Sequence, residues 1–256
     1  MIGYFPDPYP DELVYSQLAR YCVKSGYLGY VCAAEDLFQS TWNLPNIEFL
    51  NRYQPEVYHL LGKQGGMRNV ILNHTMFPVY GRFLPPKRKR AAYMDLLLGK
   101  GNTHHLLPKI RGKKKDRYLR YCPVCVKADR EKYGETYWHR IHQIYGMNLC
   151  PKHGCRLYES TIPIKSKTTP TLITAEDMCQ EQMIDYSTIE SERKLASYVY
   201  AVMKQPVDLF SESTIGDYLH SMIAETEYSS PRGSIFICPV CFPILRNIIG
   251  IYRKII

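Results

Sequence analysis

Along the first hundred residues, apolar positions recur at the three-to-four spacing of amphipathic helices, in short stretches divided by proline and glycine. "PDPYP" opens extended, because each proline restricts the residue before it to β or polyproline geometry. In "DELVYSQLARYCVKSGY", Leu13, Val14, Leu18, Tyr21 and Cys22 share a face, with Asp11 expected as N-cap and Gly26 as stop. "AAEDLFQS" predicts a second short helix. "NIEFLNRYQPEVYHLLG" predicts helix that Pro55 interrupts and Gly62 ends. A further helix should end near His74. A turn-rich connection through Pro78, Gly81, Pro85 and Pro86 then leads to a helix over 87–98. No period of 20 to 50 residues marks a repeat array.

Beyond residue 118 the pattern changes. A cysteine-bearing stretch occupies 119–160, and "TIPIKSKTTPTLIT" is polar and proline-punctuated, as a connector would be. "SERKLASYVYAVMKQP" predicts an amphipathic helix capped by Ser191 and ended by Pro206, with Leu195, Tyr198, Val199 and Val202 on one side. "SESTIGDYLHSMIAE" offers a second, so residues 191–225 are a candidate helix-turn-helix. The expected fold class is mostly α with a small cysteine-bearing module. The expected divisions are a helical region 1–118, the module 119–160, a helical region 161–230 and a tail 231–256.

Composition narrows the class. The chain has 256 residues, 45% hydrophobic and 22% charged, enough for a core without staples. Tyrosines outnumber phenylalanines 22 to 8, which suits extensive half-buried surface. A formal charge of +9 points toward polyanionic partners and says nothing of fold. Nine cysteines are too few and too unevenly paired for a disulfide scaffold and favour metal-bound thiolates in a reducing compartment. The first residues lack the charged start and apolar run of a signal peptide. No apolar stretch approaches the roughly 20 residues of a spanning helix, and "FPILRNIIGIYRKII" is broken by Arg246, Arg253 and Lys254. A cytoplasmic protein is expected.

The chemistry concentrates in "YCPVCVKADREKYGETYWHRIHQIYGMNLCPKHG". A structural zinc site takes four soft ligands in a tetrahedron, usually delivered as two close pairs. Cys122 and Cys125 form one pair and Cys150 and His153 the other, each on a proline-bearing knuckle, with 24 residues between them, so a small zinc-knuckle, zinc-ribbon-like module is expected within the mostly α fold. Cys155 is an alternative ligand that would need a wider loop. His139 and His142, three apart on the intervening predicted helix, are expected to pack or face solvent rather than bind. Trp138, Ile141 and Tyr145 are expected on one face of that helix, forming the small core that the metal staples. A second knuckle, Cys238 and Cys241 in "ICPVCF", has no pair after it. Three readings are open: a second module cut short by the chain end, recruitment of Cys179 or a remote histidine, or an unmetallated remnant. The first is preferred.

Basic residues cluster at Lys87, Arg88, Lys89 and Arg90, and again at Lys109, Arg111, Lys113, Lys114, Lys115, Arg117 and Arg120. The second run leads into the first knuckle, where a fixed loop would face a phosphate backbone and bind it with salt-sensitive affinity. No glycine-rich phosphate loop, Gly-x-Ser-x-Gly or His-Glu-x-x-His is present, so no enzyme class is indicated. One alternative is a His-metal-finger nuclease. Its nearest candidate, "THHLLPK" with His104 and His105, lacks the required following Asn and His. Another is a protein-binding zinc scaffold without DNA contact.

Three stretches, "FPDPYPDELVYSQLARYCVKSG", "NHTMFPVYGRFLP" and "RYCPVCVKADREKYGETYWHRIHQIYGMNLCPKHGCRLY", resemble the TniQ/TnsD family of transposon target-site selection proteins. They come in family order over about residues 1–160. The resemblance implies a bacterial, non-catalytic adaptor of Tn7-like elements that acts at double-stranded DNA, or with an RNA-guided targeting complex. It also implies recruitment of an AAA+ ATPase regulator of the transposase, with the N-terminal helical region as its contact. Carried over, Zn2+ would be held by Cys122, Cys125, Cys150 and His153, with helix-turn-helix elements following. Longer family members continue well past this point, so a short adaptor or a truncated product is expected.

Overall fold

A computed structural model describes residues 2–39, 44–101, 117–164 and 171–212. Six helices come first: α1 (Val14–Lys24), α2 (Tyr30–Leu37), α3 (Pro55–Gly62), α4 (Gly66–Asn73), α5 (Phe77–Gly81) and α6 (Pro86–Leu97). Strand β1 (Tyr118–Tyr121) and helix α7 (Pro123–Tyr133) come next, then a 3-10 turn at Ile141–Gln143. Strand β2 (Tyr158–Pro163), α8 (Ala175–Met178) and α9 (Glu190–Lys204) complete the described elements. The strands form one antiparallel pair, with Arg120 opposite Glu159 and Tyr121 opposite Tyr158. The mostly helical reading of the sequence holds.

Several boundaries have local causes that periodicity misses. Pro55 starts α3 instead of breaking a helix, because an N-terminal position needs no N–H and suits proline's fixed φ. Residues 44–54 before it are non-helical. The stretch expected as a connection contains α5, whose Pro78 again lies in the first turn. Gly26 stops α1 at φ +72°, as expected. Asp11 does not cap α1: it takes φ +60°, and its carboxylate accepts from Arg140 Nε and Ile141 N, both at 2.9 Å. Ser191 lies inside α9, which is preceded by an extended Ile189.

One hydrophobic core crosses the boundaries expected at 118 and 160. It joins Leu13, Leu18, Phe77 and Leu96 to Trp138, Ile144, Ile162 and Val199. Polar bonds reinforce this seam. Leu13 N donates to Trp138 O (3.1 Å), Arg140 N to Asp11 O (2.8 Å) and Tyr137 Oη to Pro10 O (3.0 Å). Trp138 is therefore not the centre of a separate small core on a helix. It is fully buried in a non-helical stretch, with its N bonded to Ser16 Oγ and its indole Nε1 to Ile173 O. Ile141 and Tyr145 are half-buried.

Helix α9 straps the molecule. At its start Glu192 accepts from Asn148 Nδ2 (2.9 Å) and Arg156 Nη2 (3.2 Å). Just past its end Arg82 donates to the carbonyls of Gln205 and Pro206. The second helix of the candidate helix-turn-helix lies outside the described residues, so only α9 of that pair is established. Among the described residues no helix is long and apolar enough to cross a membrane.

Candidate metal centre

The first knuckle is the start of a helix. Cys122 is the N-cap of α7, Pro123 occupies its first turn, and Cys122 Sγ accepts from Cys125 N at 3.4 Å. The free N–H groups and dipole at that end favour a negatively charged sulfur. The second knuckle is a tight turn. Gly154 N donates to Cys150 O (2.7 Å) and Cys150 N to Cys155 O (2.8 Å), with Gly154 at φ +69°. That left-handed backbone is open to glycine without strain.

The β1–β2 pairing and its loops bring the knuckles together. Arg120, on β1 just before the first knuckle, donates to Met147 O and to Ile144 O (2.7 Å), so it pins the loop that leads to Cys150. Gln143 is clamped on both sides, accepting from Arg120 N (2.9 Å) and donating to Arg120 O (2.8 Å).

The ligand atoms of Cys122, Cys125, Cys150 and His153 all lie within 4.8 Å of one another, and the three cysteines are buried. His153 Nδ1 is 3.5, 3.3 and 3.6 Å from the sulfurs of Cys122, Cys125 and Cys150, and Cys125 and Cys150 are 3.9 Å apart. Tetrahedral zinc, with bonds of about 2.3 Å to sulfur and about 2.0 Å to nitrogen, requires edges of roughly 3.5 Å and roughly 3.8 Å. The residues fit a metal ion of that kind.

Charge points the same way. Hydrogen bonds with Cys125 and Cys150, together with burial, push the Cys122 thiol well up, while the same sulfur contacts pull Cys150 down. Three buried thiolates this close would repel one another, and a cation among them would let all three ionise.

Cys155, the alternative ligand, is fully buried with its sulfur 3.3 Å from Cys122 Sγ, but it lies outside the four-ligand cluster. His139 and His142 are not on a helix of the predicted kind. His139 Nε2 lies 2.7 Å from Asp129 Oδ2. His142, in the 3-10 turn, is buried, with Nε2 3.7 Å from Cys125 Sγ and 3.6 Å from Cys150 Sγ. Residue spacing carried no sign of this approach, because it depends on the turn at Ile141–Gln143.

Of the basic residues, Lys87 and Arg88 are not buried, whereas Lys89 is. Arg90 pairs with Glu212 at 2.6 Å. Arg117 faces inward, bonding Glu48 Oε1 (3.1 Å) and Gln143 O (2.9 Å). Burial, and then the nearby Arg117, pull Arg120 down to about 10. These last two side chains serve the fold. Lys109, Arg111, Lys113, Lys114, Lys115, Cys238, Cys241, His104 and His105 lie outside the described residues.

A further cluster carried no motif in the sequence. Glu12 and Arg20, both buried, pair through two bonds of 2.9 and 2.7 Å. Glu135, from the module, accepts from Arg20 (3.3 Å), Lys24 (2.6 Å) and Tyr9 (2.9 Å). It ties the N-terminal segment to the stretch just after α7.

Fold and site together define a helical protein built around a Cys3His cluster of metal-binding geometry. The TniQ family model matches residues 3–157, more than half of the chain, and the chain belongs to that family. It is similar to the Tn7 transposition protein TnsD of Escherichia coli, 29% identical over 162 residues. That match covers 60% of this chain and 31% of that protein, so the chain spans about a third of its relative's length.

Proposed function

We propose that the chain is a zinc-stapled, non-catalytic adaptor in transposon target-site selection. It binds double-stranded DNA and recruits an AAA+ regulator of the transposase, with an RNA-guided complex as an alternative route to the target. The observation that carries the reading is the coincidence of the TniQ match, residues 3–157, with the unit that contains all four clustered ligands. Cys122, Cys125, Cys150 and His153 would hold Zn2+, which supplies a fixed tetrahedral joint between the knuckles and no reaction chemistry. The chain's own residues do the rest. The Glu12–Arg20–Glu135 network and the Trp138 seam keep the N-terminal helices rigid against that joint. Lys87 and Arg88, at the start of α6, offer cations to phosphates.

The test is a titration of duplex DNA at several salt concentrations. Affinity should fall steeply as salt rises, with a log–log slope that becomes shallower by roughly 1 to 2 in a Lys87→Gln/Arg88→Gln double variant. A flat salt response, or no binding, contradicts DNA contact. A second reading, a protein-binding zinc scaffold, is favoured by one observation: Arg117 and Arg120 are engaged internally. Absence of DNA binding alongside capture of the AAA+ regulator would select it. Incubation with plasmid and magnesium should leave the DNA uncut; cleavage lost on changing His104 or His105 would instead indicate a nuclease.

A further inference from the structure

His142 is the least accounted-for polar group near the centre. Its ring is buried, and its Nδ1 has no hydrogen-bond partner among the described residues. Its Nε2 faces the sulfurs of Cys125 and Cys150 at 3.7 and 3.6 Å. A neutral imidazole carries one N–H and one lone pair. If the proton sat on Nδ1, a buried donor would lack an acceptor while the Nε2 lone pair faced two electron-rich sulfurs. With the proton on Nε2, the donor meets both sulfurs and only a lone pair is left over, the milder deficit. Its neighbour His139, with ring centroids 4.8 Å apart, is engaged with Asp129.

The other sulfur has its own donors. Cys122 Sγ accepts from Cys125 N, and the Cys155 thiol lies 3.3 Å away. A metal dication with three thiolates and one neutral imidazole carries a formal net charge of minus one in a buried site. Hydrogen bonds to the sulfurs disperse that charge and limit their reactivity.

We infer that His142 is a positioning residue of the metal centre: its Nε2–H is a shared hydrogen bond to the thiolates of Cys125 and Cys150, outside the ligand set. It holds the second knuckle against the first and lowers the electron donation of both sulfurs. This inference rests on the metal reading of the cluster, and the experiment separates the two.

The measurement begins with the unaltered zinc-loaded protein. A long-range proton–nitrogen correlation of the imidazoles should place the His142 proton on Nε2 and leave Nδ1 bare. A proton on Nδ1 overturns the inference. Two variants complete the test: His142→Gln, whose amide N–H reaches a similar place, and His142→Leu, which fills the volume without a donor. Both should retain about one zinc per chain. His142→Leu should lose zinc to a chelator about 10-fold faster. Its cobalt-substituted form should show thiolate-to-cobalt charge transfer at lower energy, with His142→Gln closer to the parent in both. Equal behaviour of the two variants would mean packing alone and would overturn the inference. Loss of metal from both, with His153→Ala retaining it, would make His142 a ligand and overturn it equally. Absence of metal from the parent would instead defeat the metal reading itself.

Discussion

Glu12 has no exposed surface and Arg20 almost none, and their paired bonds are the most deeply buried ionic contact among the described residues. Removing one partner of such a pair leaves an uncompensated charge, whereas replacing both with apolar groups often does little harm. Arg20→Met should therefore lower stability by about 3–5 kcal/mol, and Glu12→Leu in the same chain should restore much of the loss. Equal melting temperatures for the parent and Arg20→Met would contradict this. His74 gives a pH dependence. Its Nδ1 donates to Glu12 O at 2.8 Å, and burial, opposed by that bond, holds its pKa below the usual value. The folded chain thus stays neutral where the unfolded chain, titrating near 6.5, takes up a proton. The contribution is complete above about 6.5 and is lost as pH falls from there toward the folded value. His74→Asn keeps an N–H for Glu12 O without titrating. Its stability deficit relative to the parent, measured by urea melts, should shrink between about pH 8 and about pH 5; a constant deficit would contradict the assignment.

Helix α7 depends on its two ends. Cys122 caps its start, and Gly134 closes its end at φ +79° with its N–H bonded to Arg130 O and open space where a Cβ would stand. Gly134→Ala should therefore cost about 1 kcal/mol through backbone strain alone, measurable in denaturant melts at unchanged metal content; a larger loss with metal release would show the end to be coupled to the centre. At this scale the sequence was readable where apolar spacing and glycine agreed, as in α1 with Gly26 and α4 ending at His74. It misled where proline had two meanings. Pro55 and Pro78 both lie in helix first turns, where the missing N–H and fixed φ are tolerated, and apolar spacing alone does not tell that use of proline from a break. The clustering of Cys122, Cys125, Cys150 and His153 was legible because two proline-bearing knuckles repeat a local rule. His142, Asp11 and the Glu12–Arg20–Glu135 network were not, because their partners lie 8 to 130 positions away and are set by tertiary contact.

In the whole molecule, the module is not a bead on a string. Its Trp138, Tyr137 and Arg140 complete the packing and hydrogen bonding of the N-terminal segment, and α9 is anchored at both the module and Arg82. Metal removal should therefore act beyond the knuckles. Chelation is expected to lower one shared melting transition, with α1 amides losing hydrogen-exchange protection together with those of α7; protection of α1 unchanged by chelation would mean the two regions are independent. Arg117 and Arg120 are engaged inside the fold, Arg117 with Glu48 and Gln143 and Arg120 with Ile144 and Met147, and the adaptor reading rests its phosphate contacts on Lys87 and Arg88. The most direct measurement of the central claim is the zinc K-edge absorption spectrum of the purified chain, taken with its metal content. One zinc per chain, with three sulfurs at about 2.3 Å and one nitrogen at about 2.0 Å, is the predicted result. Substoichiometric metal, or a four-sulfur shell with Cys155 in place of His153, would contradict the account.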